Sequence, residues 1–199
     1  TIKVTGVIEC EAAPEVITDR MEEVMTDVDV VMIVSTTDAH RSIANECKPY
    51  LRDGQIVMLN PGHCGGALEL ANILRGENGC GRDLIIAEAG DLMYGCRSYE
   101  IGNILHTGLK VHVPVATLPA GDVNRLLDVL GPVFPCLKPA ANVLETGFEG
   151  AGAMLHPIPS LMNVNKMDLG QSYDYYMEGI TPHIADIIAA CDKERVAVC

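Results

Sequence analysis

The stretch Gln55-Ile-Val-Met-Leu-Asn-Pro-Gly-His-Cys-Gly-Gly66 decides the fold. Residues 55–60, which are polar only at their two ends, form an apolar run of strand length, which is typical of a strand buried on both faces of a parallel sheet. Proline and glycine within residues 61–66 end that strand, and leucine and isoleucine recur at helical spacing over residues 68–74. The stretch therefore predicts a buried strand, a tight turn and a helix.

The same alternation of strand and helix continues on both sides of this stretch. Apolar runs at residues 29–35 and 84–87 predict further buried strands, and residues 111–115 predict another. Helical spacing occupies residues 38–51 and 122–130. Strands that alternate with helices in this way indicate α/β architecture, with a Rossmann-type, mainly parallel sheet.

The N-terminal residues add a strand and a short helix. Apolar side chains alternate over residues 1–9, around a turn at Gly6, and Asp19 is placed to cap a helix over residues 21–25. The segment lacks the apolar core of a signal peptide. It begins on a predicted strand without a methionine, so we expect a fragment that lacks a first βαβ unit carrying a glycine-rich loop.

The pattern of apolar residues changes in the last third of the sequence. Strand-like runs disappear, and residues 145–168 and 173–193 have helical spacing. The sequence therefore predicts a Rossmann-type dinucleotide-binding domain over residues 1–140. Over residues 141–199 it predicts the start of an all-helical domain that carries substrate-binding and catalytic residues.

The composition limits the classes of partner. Apolar residues make up 48% of the chain and aromatic residues 4%, which predicts an aliphatic core. The formal net charge of −13 disfavours nucleic acid and anionic membranes as partners. No apolar run approaches the ~20 residues that span a bilayer. Small molecules are the expected partners.

The eight cysteines do not form a metal-binding pattern, because no two of them make a C-x-x-C pair. We therefore expect no metal. Scattered cysteines in an aliphatic chain are typical of buried thiols in a reducing compartment, so we expect a cytoplasmic protein.

Ligands of open α/β sheets bind beyond the carboxyl ends of the strands. There the sequence predicts cofactor contacts from Ser35, Thr36, Asn60, Pro61 and Gly62. The loop that follows these residues resembles a phosphate-cradling loop, but neither a P-loop nor G-x-G-x-x-G occurs in the chain. A turn with a glycine-rich helix start accounts for the loop equally well.

The sharpest local motif is Met154-Leu-His-Pro-Ile-Pro-Ser-Leu-Met-Asn163. Two prolines within an apolar, otherwise helical stretch leave backbone hydrogen bonds unmade and bend the helix. His156 precedes the bend, and histidine exchanges protons near neutral pH, which suits general acid–base catalysis. A buried core histidine is the competing interpretation.

Motifs in order along nearly the whole chain resemble the opine dehydrogenases, the octopine and nopaline dehydrogenase group. The motifs are Asn60-Pro-Gly, Gly65-Gly-Ala-Leu-Glu69, Glu88 with Cys96-Arg97, Leu118-Pro119, Glu145-Thr146, His156-Pro157 with Leu161-Met-Asn163, and Tyr176-Met-Glu-Gly-Ile-Thr-Pro182.

The resemblance implies an NAD- or NADP-dependent enzyme that condenses a 2-oxo acid with an amino acid and reduces the imine. It implies that His156 is the acid/base residue, together with an aspartate expected beyond Cys199. It also implies substrate contacts by His63, Cys96 and Asn163, and a plain buried thiol is the equal alternative for Cys96. An amide is expected where His63 stands, which leaves the substrate open, and Arg97 pairs either with a substrate carboxylate or within the protein.

Two other functions remain under consideration. Related dehydrogenases of hydroxy acids or glycerol 3-phosphate rely on a lysine in the helical domain, and Lys166 is the only lysine between Glu145 and Tyr176. A scaffold that binds a nucleotide without turnover is the non-enzymatic alternative. The sequence also leaves open a homodimer and the choice between NAD and NADP.

Overall fold

The buried strands predicted from apolar runs form four strands of a five-stranded sheet in the computed structural model, which describes residues 1–150 and 152–198. The elements follow in chain order: β1 Ile2–Gly6, β2 Cys10–Ala12, α1 Met21–Val24, β3 Val30–Ile33, α2 Thr37–Cys47, β4 Ile56–Leu59, α3 Gly66–Arg75, β5 Ile85–Ala89, β6 Tyr94–Glu100, β7 Asn103–Leu109, β8 Val113–Leu118, α4 Val123–Leu130, β9 Leu137–Pro139, α5 Val143–Glu149, α6 Gly152–Leu155, α7 Pro157–Met162, α8 Val164–Asp168 and α9 Pro182–Val198.

The five-stranded sheet has the order β3-β4-β5-β8-β9. The pairs β3–β4 and β4–β5 are parallel, which confirms the α/β fold class and the predicted parallel strands. The strand predicted at residues 111–115 lies at 113–118 and runs antiparallel to β5. A parallel return needs a crossover connection, usually a helix, whereas the chain between β5 and β8 forms a hairpin.

The core is aliphatic, and strand β4 shows how it is built. Successive side chains of a strand point to opposite faces. Val57 and Leu59 pack in one buried cluster with Leu70 and Leu74 of α3. Ile56 and Met58 pack in a second cluster on the other face, with Leu126 and Leu130 of α4. The mainly parallel sheet is therefore covered on both faces, as its uninterrupted apolar strands require.

A second sheet was not predicted from the sequence. It has the order β2-β1-β7-β6, with β1 parallel to β7 and the other pairs antiparallel. Its strand β6 is exposed along almost its whole length. An exposed strand of mixed composition has no apolar run or clear alternation by which the sequence would reveal it.

Two predicted helix boundaries are wrong for local reasons. Asp19 does not cap α1, because Arg20 holds the N-cap position and no side chain caps that helix end. The helix predicted over residues 38–51 ends at Cys47 and continues as a 3-10 turn over Lys48–Tyr50. Pro49 lacks the N–H that an α-helical turn would need there.

The chain divides into two compact units, Thr1–Gly147 and Phe148–Cys199. The domain boundary predicted at residue 140 lies before this division. The Thr146 hydroxyl bonds to Glu88, which joins the residues after 140 to the first unit. In the second unit the helix predicted over residues 145–168 is broken into short helices around the two prolines. Residues 173–181 are not helical, and α9 begins at Pro182, a residue tolerated in a first helical turn. The functions assigned to the two segments stay predictions.

Cysteine burial differs from the expectation. Cys47 is buried, but Cys10, Cys64 and Cys96 are exposed, and the described cysteines form no disulfide with one another. The spacing of the cysteines along the sequence therefore did not predict which thiols would be buried. Within residues 1–150 and 152–198, no helix is long and apolar enough to cross a membrane.

Candidate cofactor and substrate site

The carboxyl ends of β3, β4 and β5 form one edge of the five-stranded sheet, and the predicted cofactor residues lie there. The backbone N–H of Asn60 donates to Ile33 at 2.9 Å, and that of Gly62 donates to Ala89 at 2.9 Å. Ser35 and Thr36 follow β3 directly, at the start of α2. The structure thus brings the residues after β3 and those after β4 to one edge, as parallel strands require.

Asn60 has a polar atom that no described residue satisfies. The residue is 7% exposed, its amide Nδ2 lies 3.8 Å from Met32 Sδ, and its Oδ1 has no hydrogen-bond partner. A buried carbonyl oxygen without a donor costs free energy. An N–H or O–H group of a ligand would satisfy it, so Asn60 fits the predicted cofactor contact.

Glu88 at the end of β5 is the most buried carboxylate of this edge, with 1% exposure. Its Oε2 accepts a hydrogen bond from the backbone N–H of Ala67 at 2.7 Å. Its Oε1 accepts one from the Thr146 hydroxyl at 2.5 Å. A Cβ at Gly62 would lie 2.3 Å from Oε2. Glycine is therefore required at position 62 because the loop passes directly over the carboxylate.

Burial raises the pKa of the Glu88 carboxyl, although the hydrogen bonds from Thr146 and then Ala67 oppose that effect. Desolvation disfavours the charged form, whereas donors to the carboxylate favour it. Glu88 is therefore a deeply buried carboxyl group beside the loop, and it accepts two hydrogen bonds.

The starts of both helices at this edge already carry carboxylates. The N-terminus of α3 receives Glu88 through Ala67. Asp38 lies in the first turn of α2, where a hydrogen bond from the Thr36 side chain is the main cause of its lowered pKa. A phosphate at the start of α3 would have to displace Glu88. The geometry thus favours the turn interpretation of residues 61–66 over the phosphate-cradling one.

His63 occupies the tip of this loop. Its side chain is exposed and its φ of 55° places it in the left-handed region. The neighbouring Cys64 thiol donates to the Gly147 carbonyl at 3.0 Å. The loop is therefore attached to the last residue of the first unit, while the His63 side chain lies at the surface.

Cys96 does not lie at this edge of the main sheet. It is an exposed residue of β6, and its cross-strand partner is His106. His106 is 5% exposed, both of its ring nitrogens lack a described partner, and its ring meets that of Tyr94 edge-on. The Arg97 guanidinium donates a hydrogen bond to the Cys96 carbonyl at 3.0 Å. Among the described residues, no ion pair of Arg97 is seen.

His156 lies between α6 and α7 in the second unit, and it is exposed. This exposure argues against the core-histidine interpretation. The ring centroids of Tyr175 and Tyr176 lie 6.3 and 6.5 Å from that of His156. The His156 carbonyl accepts from the Tyr175 hydroxyl at 2.6 Å and from the Ser160 hydroxyl at 2.7 Å. These bonds hold the bent backbone and do not involve the imidazole.

The side chain of Asn163 is buried and hydrogen-bonded within the protein. It is 4% exposed, and its Nδ2 donates to the carbonyls of Pro159 and Gly179, both at 2.8 Å. Both amide N–H groups are thus used by the protein, and only Oδ1 is left for a substrate. Lys166 places its ammonium 4.7 Å from the centroid of the Tyr173 ring.

Three residues of this region were not assigned a role from the sequence. Glu88 and Thr146 appeared only as parts of motifs, although a lone carboxylate in a buried strand is itself a signal. His40 of α2 was not singled out. It is 2% exposed, neither ring nitrogen has a described partner, and Nδ1 lies 3.9 Å from where a Cβ of Gly66 would stand.

A mainly parallel α/β unit followed by a helical unit defines a Rossmann-type dehydrogenase fold, with its ligand edge after β3–β5. Residues 139–199 match the family model described as NAD/NADP octopine/nopaline dehydrogenase, alpha-helical domain. The opine dehydrogenase of Arthrobacter sp. (strain 1C) is 36% identical over 187 residues, which are 94% of this chain and 52% of that protein. The resemblance of the sequence to the opine dehydrogenases is confirmed.

Solved structures show the same fold. Octopine dehydrogenase in complex with NADH and agmatine superposes with a TM-score of 0.73 and 19% identity, over 99% of this chain and 51% of that one. Yersinopine dehydrogenase with NADP+ bound gives a TM-score of 0.73 and 13% identity, over 94% and 49%. The chain spans about half the length of the relatives it matches.

Proposed function

We propose that this chain acts as part of an NAD(P)H-dependent dehydrogenase that joins a 2-oxo acid to an amino acid. The observation that carries the proposal is the 36% identity to an opine dehydrogenase over 94% of the chain, which includes both units. The unsatisfied Asn60 at the ligand edge and the exposed His156 at a proline bend support it.

The cofactor would be held at the edge after β3 and β4. Ser35, Thr36, Asn60, Pro61 and Gly62 would contact it, with the Asn60 Oδ1 accepting from an amide or hydroxyl group. When bound, NADH or NADPH supplies the hydride. Carboxylates at the starts of α2 and α3 disfavour a phosphate there. We therefore assign this edge to the uncharged nicotinamide and ribose end of the dinucleotide.

His156 would be the proton carrier of the reaction. The amine and the carbonyl combine with loss of water, and the imine carbon then accepts hydride while the nitrogen keeps or receives a proton. An exposed imidazole whose backbone is fixed by Tyr175 and Ser160 suits the delivery and removal of that proton. His63, Cys96 and Asn163 stay predictions as substrate contacts.

The proposed reaction is tested by NADH or NADPH oxidation in the presence of 2-oxo acids and amino acids. We expect oxidation to require both substrates and to yield a secondary amine dicarboxylate, identified by mass spectrometry. Oxidation by the oxo acid alone, with a hydroxy acid as product, would favour a hydroxy-acid dehydrogenase instead. Cofactor binding without turnover on any pair would favour the scaffold.

The contact of Lys166 with the Tyr173 ring bears on that alternative, because it gives the lysine a structural partner. A catalytic lysine would be needed for the hydroxy-acid or glycerol-3-phosphate reaction, so we rank the opine-type reaction first. Assembly as a homodimer and location in the cytoplasm stay predictions.

A further inference from the structure

Two hydrogen bonds tie α5 to the region of the loop over residues 60–66, one directly to the loop and one to Glu88 of β5, beneath it. The Thr146 hydroxyl donates to Glu88 Oε1 at 2.5 Å, and the Cys64 thiol donates to the Gly147 carbonyl at 3.0 Å. We define the α5 anchor as Cys64, Glu88, Thr146 and Gly147. All four residues belong to the first unit.

The loop lies beside Gly147, about one methyl group away. A Cβ at Gly147 would lie 3.6 Å from the His63 carbonyl oxygen and 3.6 Å from the Gly65 nitrogen, which is ordinary contact distance. The packing is tighter at Gly90, where a Cβ would lie 3.2 Å from the Thr146 carbonyl oxygen. The loop that carries His63 therefore neighbours the last residues of the first unit.

Thr146 is the central residue of this arrangement. It is 2% exposed, and its hydroxyl reaches a carboxylate that also accepts from the first turn of α3. Through Glu88 it is therefore linked to the helix that begins where the loop ends. Loss of this donor would leave a buried acceptor unsatisfied, which is costly.

We propose that Thr146 is a positioning residue, which acts through Glu88 to hold the loop over residues 60–66 in the conformation that presents His63 to the substrate. The role of His63 rests on the proposed function, whereas the restraint of the loop does not. Two independent measurements separate the two parts.

The first measurement is the alkylation rate of Cys64 by iodoacetamide, followed by peptide mass spectrometry in the Thr146→Val and Thr146→Ser variants. The thiolate is the nucleophile, so the bond to Gly147 has to break before Cys64 reacts. We expect Thr146→Val, which keeps the shape and loses the hydroxyl, to raise the Cys64 rate about tenfold. Thr146→Ser should stay close to the original protein.

The same samples contain their own controls. Cys10 is exposed and should react at one rate in all variants. Cys47 is buried, and burial, with a smaller effect of Glu46, raises the pKa of its thiol to about 11, so its reaction reports general unfolding. An unchanged Cys64 rate in Thr146→Val would overturn the proposal. So would a parallel rise for Cys47, because that would show a general loss of stability.

The second measurement is steady-state kinetics of the whole enzyme. Thr146→Val should raise KM for the substrate about tenfold with a smaller change in kcat, and Thr146→Ser should restore it. If Cys64 becomes reactive but KM does not change, the loop is restrained without serving the substrate, and the positioning role is rejected. If the unmodified enzyme turns over no oxo acid and amine pair, the proposed function fails, while the alkylation result still decides on the restraint.

Discussion

Glu88 and His156 are both ionisable residues in regions that matched the family motifs, yet their environments are opposite. Glu88 is 1% exposed, with two donors on its carboxylate and a glycine directly above it. His156 is exposed, and its hydrogen bonds to Ser160 and Tyr175 involve its backbone rather than its ring. The first arrangement is typical of a residue that holds structure in place, and the second is compatible with the proposed exchange of protons with a ligand.

The two environments give different expectations for substitution. Loss of Glu88 or its contacts should reduce stability and disturb loop geometry, with activity changed as a consequence. Loss of the His156 side chain should reduce turnover with little change in stability. Substitutions at and around both residues test this division, and the largest effect is expected at His156.

Replacement of His156 by alanine should lower kcat of the intact enzyme by about 10²–10⁴-fold, because a positioned acid or base contributes that range. His156→Gln, which donates a hydrogen bond but does not carry a proton near neutral pH, should be almost as impaired. Cofactor affinity and the free energy of unfolding should change little. Steady-state kinetics and urea unfolding measure these quantities.

The control for this prediction is His183→Ala, which removes another exposed histidine of the second unit. It should leave kcat unchanged. If His156→Ala instead raises KM with kcat intact, the residue binds substrate without transferring a proton. The catalytic assignment would then be withdrawn.

Several features of the regions around Glu88 and His156 were predictable from the sequence. The parallel strands were predictable because a short, uninterrupted apolar run such as residues 56–59, closed by proline and glycine, is typical of a strand buried on both faces. The ligand edge followed from the direction of these strands, and the Asn60–Gly62 turn lies there as predicted. A break near the prolines after His156 was also predictable, since proline removes a helical donor.

Other features depended on contacts between distant residues. Strand β6 is exposed along most of its length and the one buried residue of β7 is His106, so no apolar pattern marked the hairpin that contains Cys96. The bond from Thr146 to Glu88 joins residues 58 positions apart, and neither side chain indicates the other. Asn163 was grouped with substrate contacts through its motif, whereas its surroundings show two backbone carbonyls.

Gly62→Ala should produce the next largest effect, a loss of up to about 3 kcal/mol in the free energy of unfolding. The new Cβ would lie 2.3 Å from Glu88 Oε2 and 2.6 Å from Glu88 Cβ, so backbone has to move as well as the flexible end. The matched control is Gly121→Ala, where a Cβ meets no atom within 4 Å. Equal stability of the two variants would show that the loop yields easily and does not constrain Glu88.

Asn163→Ala should lower the free energy of unfolding by about 2 kcal/mol, because the buried Gly179 carbonyl loses the amide donor and the Pro159 carbonyl keeps only the backbone N–H of residue 163. KM of the folded enzyme should stay within about twofold if the role is structural. Urea unfolding and steady-state kinetics on the same preparation separate the outcomes. A large rise in KM with normal stability would restore Asn163 to the substrate site.

The smallest expected effect is the pH dependence that Glu88 adds to stability, because burial and two hydrogen bonds act on its pKa in opposite directions. Burial is the larger influence, so the folded pKa lies above that of the unfolded chain. A group of this kind stabilises the fold fully below the unfolded pKa, and the contribution is lost as pH rises through the folded pKa. The free energy of unfolding of the original protein should therefore fall, relative to Glu88→Gln, as pH rises from the ordinary carboxyl range.

Urea unfolding of both proteins at matched pH values measures the difference. A difference that grows in favour of the original protein with rising pH would mean that Thr146 and Ala67 outweigh burial. Glu88 would then be held as a carboxylate by its donors, and the contrast with His156 would rest on burial and geometry alone.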